Sequence, residues 1–150
     1  RMLERDGRRI RVKIPPGARD GSRIRVAGKG SSGPGGGTPG DLYLRVTVKP
    51  HAVFKRRDDN LHCDVDIDLY TAVLGCQAQV TTLNGDVSLR IPAGTSGGKT
   101  FRLRGKGMPN PRNPENRGDL FATIRIRIPQ ELSPPERELF EELSRLQERK

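Results

Sequence analysis

Ile14-Pro15-Pro16-Gly17 through Gly28-Lys29-Gly30 lines up without a gap with Ile91-Pro92-Ala93-Gly94 through Gly105-Lys106-Gly107, at an offset of 77 residues. Each stretch reads as strand, Pro-Gly loop, strand and Gly-Lys-Gly. A loose loop, a Gly-Asp-Leu step and a long strand follow: Gly40-Asp41-Leu42-Tyr43 in the first copy and Gly118-Asp119-Leu120-Phe121 in the second. Self-similarity at one fixed offset is the mark of a duplicated unit. Gly17, Gly28, Gly30, Gly94, Gly105 and Gly107 supply backbone angles barred to other residues at sharp turns, and the flanking prolines stop strands from extending.

Outward from the repeat, the period-two code of half-buried strands dominates. Arg9, Arg11 and Lys13 alternate with Ile10, Val12 and Ile14, and Arg125 and Arg127 alternate with Ile124, Ile126 and Ile128. Between the copies, Leu61-His62-Cys63-Asp64-Val65-Asp66-Ile67-Asp68-Leu69 alternates in the same way. A short helix is predicted from Tyr70 to Leu74, ending at Gly75. Strands from Ala78 to Leu83 and Val87 to Ile91 follow, joined at Asn84-Gly85, a type I′ hairpin signal. Asp6-Gly7 gives a second such hairpin, pairing Met2 to Glu4 with Arg9 to Val12. Residues 31–39 and 108–117 show no periodicity and read as mobile surface loops.

The chain ends in an amphipathic helix. Ser133 is its N-cap, Pro134 its first residue, and Glu136 completes a capping box; Leu139, Leu143 and Leu146 fall on one face. The predicted fold class is therefore mainly β: two tandem small β-sandwich or barrel-like domains of duplicated topology, with a C-terminal amphipathic helix. The domains are placed at 1–52 and 53–132, and the helical segment at 133–150. Residues 1 to about 50 make only part of a domain.

Composition agrees with short strands. The chain has 150 residues, of which 32% are apolar and 4% aromatic, with 18 Gly and 12 Pro, so the core is thin and turns are frequent. No apolar run approaches the roughly 20 residues of a membrane span, and no signal-peptide core is present. The expected location is the cytoplasm. Position 1 is Arg rather than Met, and the text begins mid-pattern, as in a piece of a longer protein. Cys63 and Cys76 lack the paired C-x-x-C spacing of a structural zinc site and read as two reduced, buried thiols; a disulfide would need their strand positions to face each other.

Motifs that resemble chemistry do not survive their context. Ala93 with Gly98-Lys99-Thr100 fits a relaxed phosphate loop, but Phe101-Arg102-Leu103-Arg104 alternates like a strand where a helix must begin. Gly28-x-Gly30-x-x-Gly33 runs into Pro34 and more glycines instead of a helix. Asp64, Asp66 and Asp68 share a strand face, yet a calcium loop starting at Asp64 would need Gly at Leu69 and Glu at Gly75. Cross-strand partnership with the arginine-rich strands is their expected role. His51 and His62 have no metal-ligand spacing and no nearby nucleophile, so no catalytic or metal site is predicted, and the chain reads as no enzyme.

Val12-Lys13-Ile14-Pro15-Pro16-Gly17, Gly40-Asp41-Leu42-Tyr43, Lys49-Pro50-His51 with Phe54, Leu74-Gly75, Thr82-Leu83-Asn84-Gly85 and Phe101 to Gly107 together resemble, in order and over nearly the whole chain, the C-terminal region of the DnaJ family. The resemblance implies two similar β-domains, the first bearing a shallow apolar groove for extended client segments, and a last helix that joins two subunits. Client contact is then expected at Met2, Leu3 and Leu44, with Ile10 and Val12 as core beneath the groove or part of it. Dimerisation is expected through Leu139, Phe140, Leu143 and Leu146. The first strand of the first domain is missing from the alignment, which leaves an open strand edge. No His-Pro-Asp tripeptide is present, so this piece should not itself stimulate a DnaK-type ATPase. No cofactor is expected here, and zinc only in an upstream module.

Two functions from different classes follow. The first is a co-chaperone module that holds unfolded polypeptide and delivers it, in the full protein, to a DnaK-type ATPase, with avidity from a homodimer. The second is a basic β-barrel that binds RNA or the ribosome, suggested by a net charge of +10. Few aromatics are available to stack on bases, and the acidic Asp58-Asp59 and Asp64 to Asp68 stretches oppose it. Nucleic acid and membrane are therefore not expected partners.

Overall fold

The alternating stretches emerge as strands in a computed structural model that describes residues 2–5, 8–30 and 40–149. The Asp6-Gly7 turn, the 31–39 loop and Gly33 lie outside the described residues. In the first copy, β1 (Met2–Arg5) pairs antiparallel with β2 (Arg8–Arg11), and β3 (Arg23–Val26) with β4 (Leu42–Arg45). The second copy holds β5 (Lys55–Arg57), β6 (Asn60–Asp68), α1 (Leu69–Leu74), β7 (Cys76–Thr82), β8 (Gly85–Ile91), β9 (Thr100–Leu103) and β10 (Leu120–Arg127). The C-terminal helix is α2 (Pro134–Glu148).

In the second unit, β5, β6, β10 and β9 form a four-stranded sheet in that order, with β6 and β10 parallel. The β7–β8 hairpin covers it. Period two places Leu120, Ala122 and Ile124 of β10 inward, where each is fully buried. They meet Leu61, Cys63 and Ile67 from β6 and Val80 and Ile91 from the hairpin. Each large aliphatic side chain so buried contributes about 1.5–3 kcal/mol. The opposite face carries charge: Arg125 reaches Asp64 at 3.6 Å and Asp66 at 4.0 Å, the cross-strand role expected of those carboxylates. Asp68 instead caps α1, accepting the Thr71 N–H at 2.7 Å. Ile128 stands past the end of β10 and is exposed, so the inward alternation stops at Ile126, two residues earlier than the sequence suggested.

The duplication extends to individual hydrogen bonds. Gly30 N–H donates to Gly40 O at 2.8 Å and Gly107 N–H to Gly118 O at 2.9 Å. Gly21 N–H donates to Val46 O at 2.7 Å, and Gly98 N–H to Ile124 O at 2.8 Å. The two units also touch. Arg56 donates to the carbonyls of Gly17 (2.8 Å), Ala18 (3.0 Å) and Asp58 (2.6 Å). Asp59 accepts from Arg19 and Asn110, each at 3.0 Å.

Three sequence readings need correction. The β7–β8 turn is not type I′ at Asn84-Gly85: Thr82 pairs with Gly85, leaving Leu83-Asn84 as the connection. Positive φ falls on Gly85 (104°) and not on Asn84. The Thr82 hydroxyl imposes this, donating to Gly85 O at 2.6 Å and accepting the Asn84 N–H at 3.2 Å. Cys76 is exposed at the start of β7 while Cys63 is buried, and neither is in a disulfide. Residues 108–117 are irregular but pinned, by a Pro109–Arg117 bridge and by Asn110 N–H donating to Asn116 O at 2.8 Å.

Candidate functional site

Among the described residues, two apolar concavities take in residues that the sequence singled out. The first, about 130 Å³, lies between the β1–β2 and β3–β4 hairpins and is lined by Leu3, Val12, Ile14, Ile24, Leu44, Arg45, Val46 and Thr47. Leu3 sits opposite Ile10 and Leu44 opposite Ile24, so the two pairs turn their side chains to one side of each hairpin. Val12 is buried at its floor, as core beneath it. Ile10 is half-buried beside Leu3 but does not line the cavity. Met2 points away: it pairs with Arg11 on the other face of β1 and is 51% exposed. Strand alternation separates Met2 from Leu3, whatever their adjacency in sequence.

Ile14, Ile24, Arg45, Val46 and Thr47 are the lining residues that reading the sequence missed. Ile24 was recoverable, because the Arg25–Asp41 pair sets the β3–β4 register and so its partnership with Leu44. Arg25 donates to Asp41 at 2.6 Å, and the carboxylate also accepts the Gly28 N–H at 3.1 Å. That backbone donor first, and then Arg25, hold the Asp41 carboxyl below the usual range. Asp41 therefore ties the β4 start to the loop ahead of it.

The second concavity, about 320 Å³, is lined by Leu139, Phe140, Leu143 and Leu146 of α2 with Glu136, Glu142 and Tyr70. The helix starts as the sequence predicts, with Ser133 as N-cap and both arms of the capping box made. The Ser133 hydroxyl and N–H both donate to Glu136, holding its carboxyl below the usual range. Leu139, Leu143 and Leu146 are 58–60% exposed. Phe140 approaches the body of the chain, with its ring 6.4 Å from that of Tyr70. Tyr70 carried no sequence signal for this contact, since α1 is too short to show a helical stripe; Val73 and Leu74 beside it are also exposed.

Among the described residues no group of three or more His, Cys, Asp or Glu side chains is placed to hold a metal. Gly98-Lys99-Thr100 leads into β9, not into a helix. Burial, and then Asp64, push the Cys63 thiol up, away from a reactive thiolate. What the geometry offers is an apolar cleft beside a strand edge and an uncovered helix stripe.

The DnaJ C terminal domain family matches residues 3–129. The chain belongs to this family. Similar relatives are the chaperone protein DnaJ of Geobacillus thermodenitrificans, 47% identical over 139 residues, and that of Chelativorans sp., 46% identical over 140 residues. The DnaJ chaperone of Geobacillus kaustophilus is 45% identical over 139 residues. Each alignment covers 93% of this chain but only 36–37% of the relative, so the chain spans little more than a third of their length. Of the residues that the family resemblance singled out for client contact, Leu3, Val12 and Leu44 line the first concavity, and Met2 and Ile10 do not.

Proposed function

We propose that the chain is a non-enzymatic module of a co-chaperone that holds exposed apolar segments of unfolded polypeptide and, in the full protein, passes them to a DnaK-type ATPase. The observation that carries the proposal is the cleft between the two N-terminal hairpins, with Leu3 and Leu44 on its walls and Val12 at its floor. An extended segment suits such a site, because backbone hydrogen bonds at a strand edge ignore sequence while the cleft takes alternate apolar side chains. Membership of the DnaJ C-terminal family supports the co-chaperone role.

In this reading residues 1–52 and 53–132 are the two β-domains, Phe54 being the first residue of the second core. Segment 133–150 joins two subunits through Leu139, Phe140, Leu143 and Leu146. Two linked clefts would strengthen weak single contacts. The working compartment is the cytoplasm.

Light scattering of a heat-denaturing model protein tests the proposal, alongside a salt-titrated RNA-binding assay on the same sample. Suppressed aggregation with negligible RNA binding at physiological salt is expected, together with weaker suppression by a folded Leu44→Asp variant. Tight, salt-steep RNA binding without suppression would replace the proposal with a nucleic-acid function.

A further inference from the structure

Asparagine is thermally labile, because the main-chain nitrogen of the next residue can attack its carboxamide carbon. That attack needs a nitrogen with a proton to lose, no side chain crowding it, and an amide free to swing towards it. The chain has five asparagines, and four of them lack one of these. Asn110 and Asn113 precede Pro111 and Pro114, whose nitrogens carry no proton. Asn60 is half-buried, with its Oδ1 accepting the Asp119 N–H at 2.8 Å. Asn116 precedes Arg117, whose side chain crowds the nitrogen. Its main chain is also held on both sides, the N–H donating to Asn113 O at 2.9 Å and the carbonyl accepting the Asn110 N–H at 2.8 Å. Asn84, at the tip of the β7–β8 hairpin, meets every requirement. It is exposed, and among the described residues its side-chain amide makes no hydrogen bond, while its main-chain N–H is held by the Thr82 hydroxyl at 3.2 Å. Gly85 follows, and beyond its chain neighbours no atom lies within 4 Å of where a Cβ would stand.

We propose that Asn84 is a site of spontaneous deamidation whose isoaspartyl product undoes the hairpin turn. The Gly85 nitrogen gives its proton to solvent base and bonds to Cγ of Asn84. The Cγ–Nδ2 bond then breaks, and ammonia leaves with a proton from water, closing a succinimide ring. Water adds to one of the two ring carbonyls and that carbonyl's bond to the ring nitrogen breaks. Opening at Cγ leaves an aspartyl residue, and opening at the main-chain carbonyl leaves an isoaspartyl residue. The sum consumes one water and releases one ammonia, with no oxidant or reductant. In the isoaspartyl form the main chain runs through Cβ and Cγ and is one atom longer. Leu83-Asn84 is a two-residue connection with Thr82 opposite Gly85, and turns this short fix strand register. The Thr82 hydroxyl bridges the turn by donating to Gly85 O at 2.6 Å, and an added backbone atom moves Gly85 away from it. The same strands carry Val80 and Ile91 into the two cores, at 2% and 1% exposure, so an event at the tip reaches the packing of the second unit. The aspartyl form keeps the main chain and adds only a carboxylate.

The test is to age the chain in mildly alkaline buffer at physiological temperature and map its peptides by mass, separating aspartyl from isoaspartyl forms. Conversion at Asn84 is expected at least tenfold faster than at Asn60, Asn110, Asn113 and Asn116, rising with hydroxide concentration and lost in Asn84→Gln. Conversion no faster than at the other four would overturn the site. So would conversion that needs urea, since the folded hairpin would then be holding the Gly85 nitrogen back. Amide hydrogen exchange reads the consequence. The isoaspartyl-enriched chain should exchange at least tenfold faster along β7 and β8 than the fresh chain, whereas Asn84→Asp, with its main chain unchanged, should match the fresh chain. Equal exchange in the aged and fresh chains, or equally fast exchange in Asn84→Asp, would overturn the assignment of the loss to the added backbone atom.

Discussion

Arg102 grips Asp119 side-on, its Nε–H donating at 2.6 Å and its Nη2 lying 2.5 Å from the same carboxylate oxygen, Oδ2. The other oxygen accepts the Gly105 N–H at 3.0 Å. One carboxylate thus fixes the start of β10, the end of β9 and the turn after it. Asp41 repeats the arrangement with Arg25 and Gly28 in the first unit, so the Gly-Asp-Leu step is the latch of each duplicated hairpin. Asp119→Asn keeps the shape but loses the charge-assisted bond, and should cost about 1–3 kcal/mol. Urea unfolding checks this; an unchanged midpoint would remove the latch role.

Acid should weaken the fold through the same carboxylates. Backbone N–H donors from Gly105 and Thr71 act first on Asp119 and Asp68, and the Arg19 hydrogen bond acts first on Asp59; all three carboxyls are held below the usual range. The unfolded chain therefore takes up protons first as the pH falls through about 4. The stabilisation is complete above that point and drains away as the pH drops through the lowered folded values. The expected readout is a urea midpoint that is level from neutrality down to about pH 5 and falls steeply towards pH 3. The gap between wild type and Asp119→Asn should narrow over the same interval, and a gap that is constant with pH would assign the loss to other groups.

The legible parts of the fold were those with a local cause. Ser133 and Glu136 sit one helical turn apart and announce their own cap, and Gly75 ends α1 where a positive φ of 81° is needed. The 77-residue offset exposed two units because their turns reuse glycine at the same φ, as at Gly28 (70°) and Gly105 (73°). The illegible parts depend on distant partners. Arg56 binds the backbone carbonyls of Gly17 and Ala18, acceptors that every residue type offers, so nothing in the sequence marks the pair. The candidate cleft was half legible: Leu3, Leu44 and Val12 come together, while Met2 fails because strand parity, not adjacency, decides which side chains share a face.

Gly17 should be the most sensitive glycine at the junction between units. It is buried at φ 80°, and a Cβ there would lie 1.9 Å from the Pro109 carbonyl oxygen. Gly28 has a similar φ of 70° but open space around it. Gly28→Ala should therefore show only the left-handed backbone penalty of about 1–2 kcal/mol. Gly17→Ala adds a clash with backbone that must move the 109–111 segment, and should exceed it clearly. Paired thermal melts decide the matter, and equal losses would mean that the contact with Pro109 yields at no cost.

The α2 stripe gives the sharpest prediction about assembly. An isolated helix of 15 residues is marginal in water unless its apolar face is covered, yet Leu139, Leu143 and Leu146 are exposed while Phe140 leans on Tyr70. The expected cover is a second copy of the same stripe, in an isologous contact. Leu143→Asp with Leu146→Asp should convert a two-chain particle into a folded monomer, read as halved mass in solution scattering. Neither side chain contributes to the two described cores, so the thermal unfolding of the β units should stay where it is. A two-chain mass that survives the double substitution would take the stripe out of the interface. A fall in mass accompanied by loss of the β signal would instead tie the helix to the integrity of its own subunit.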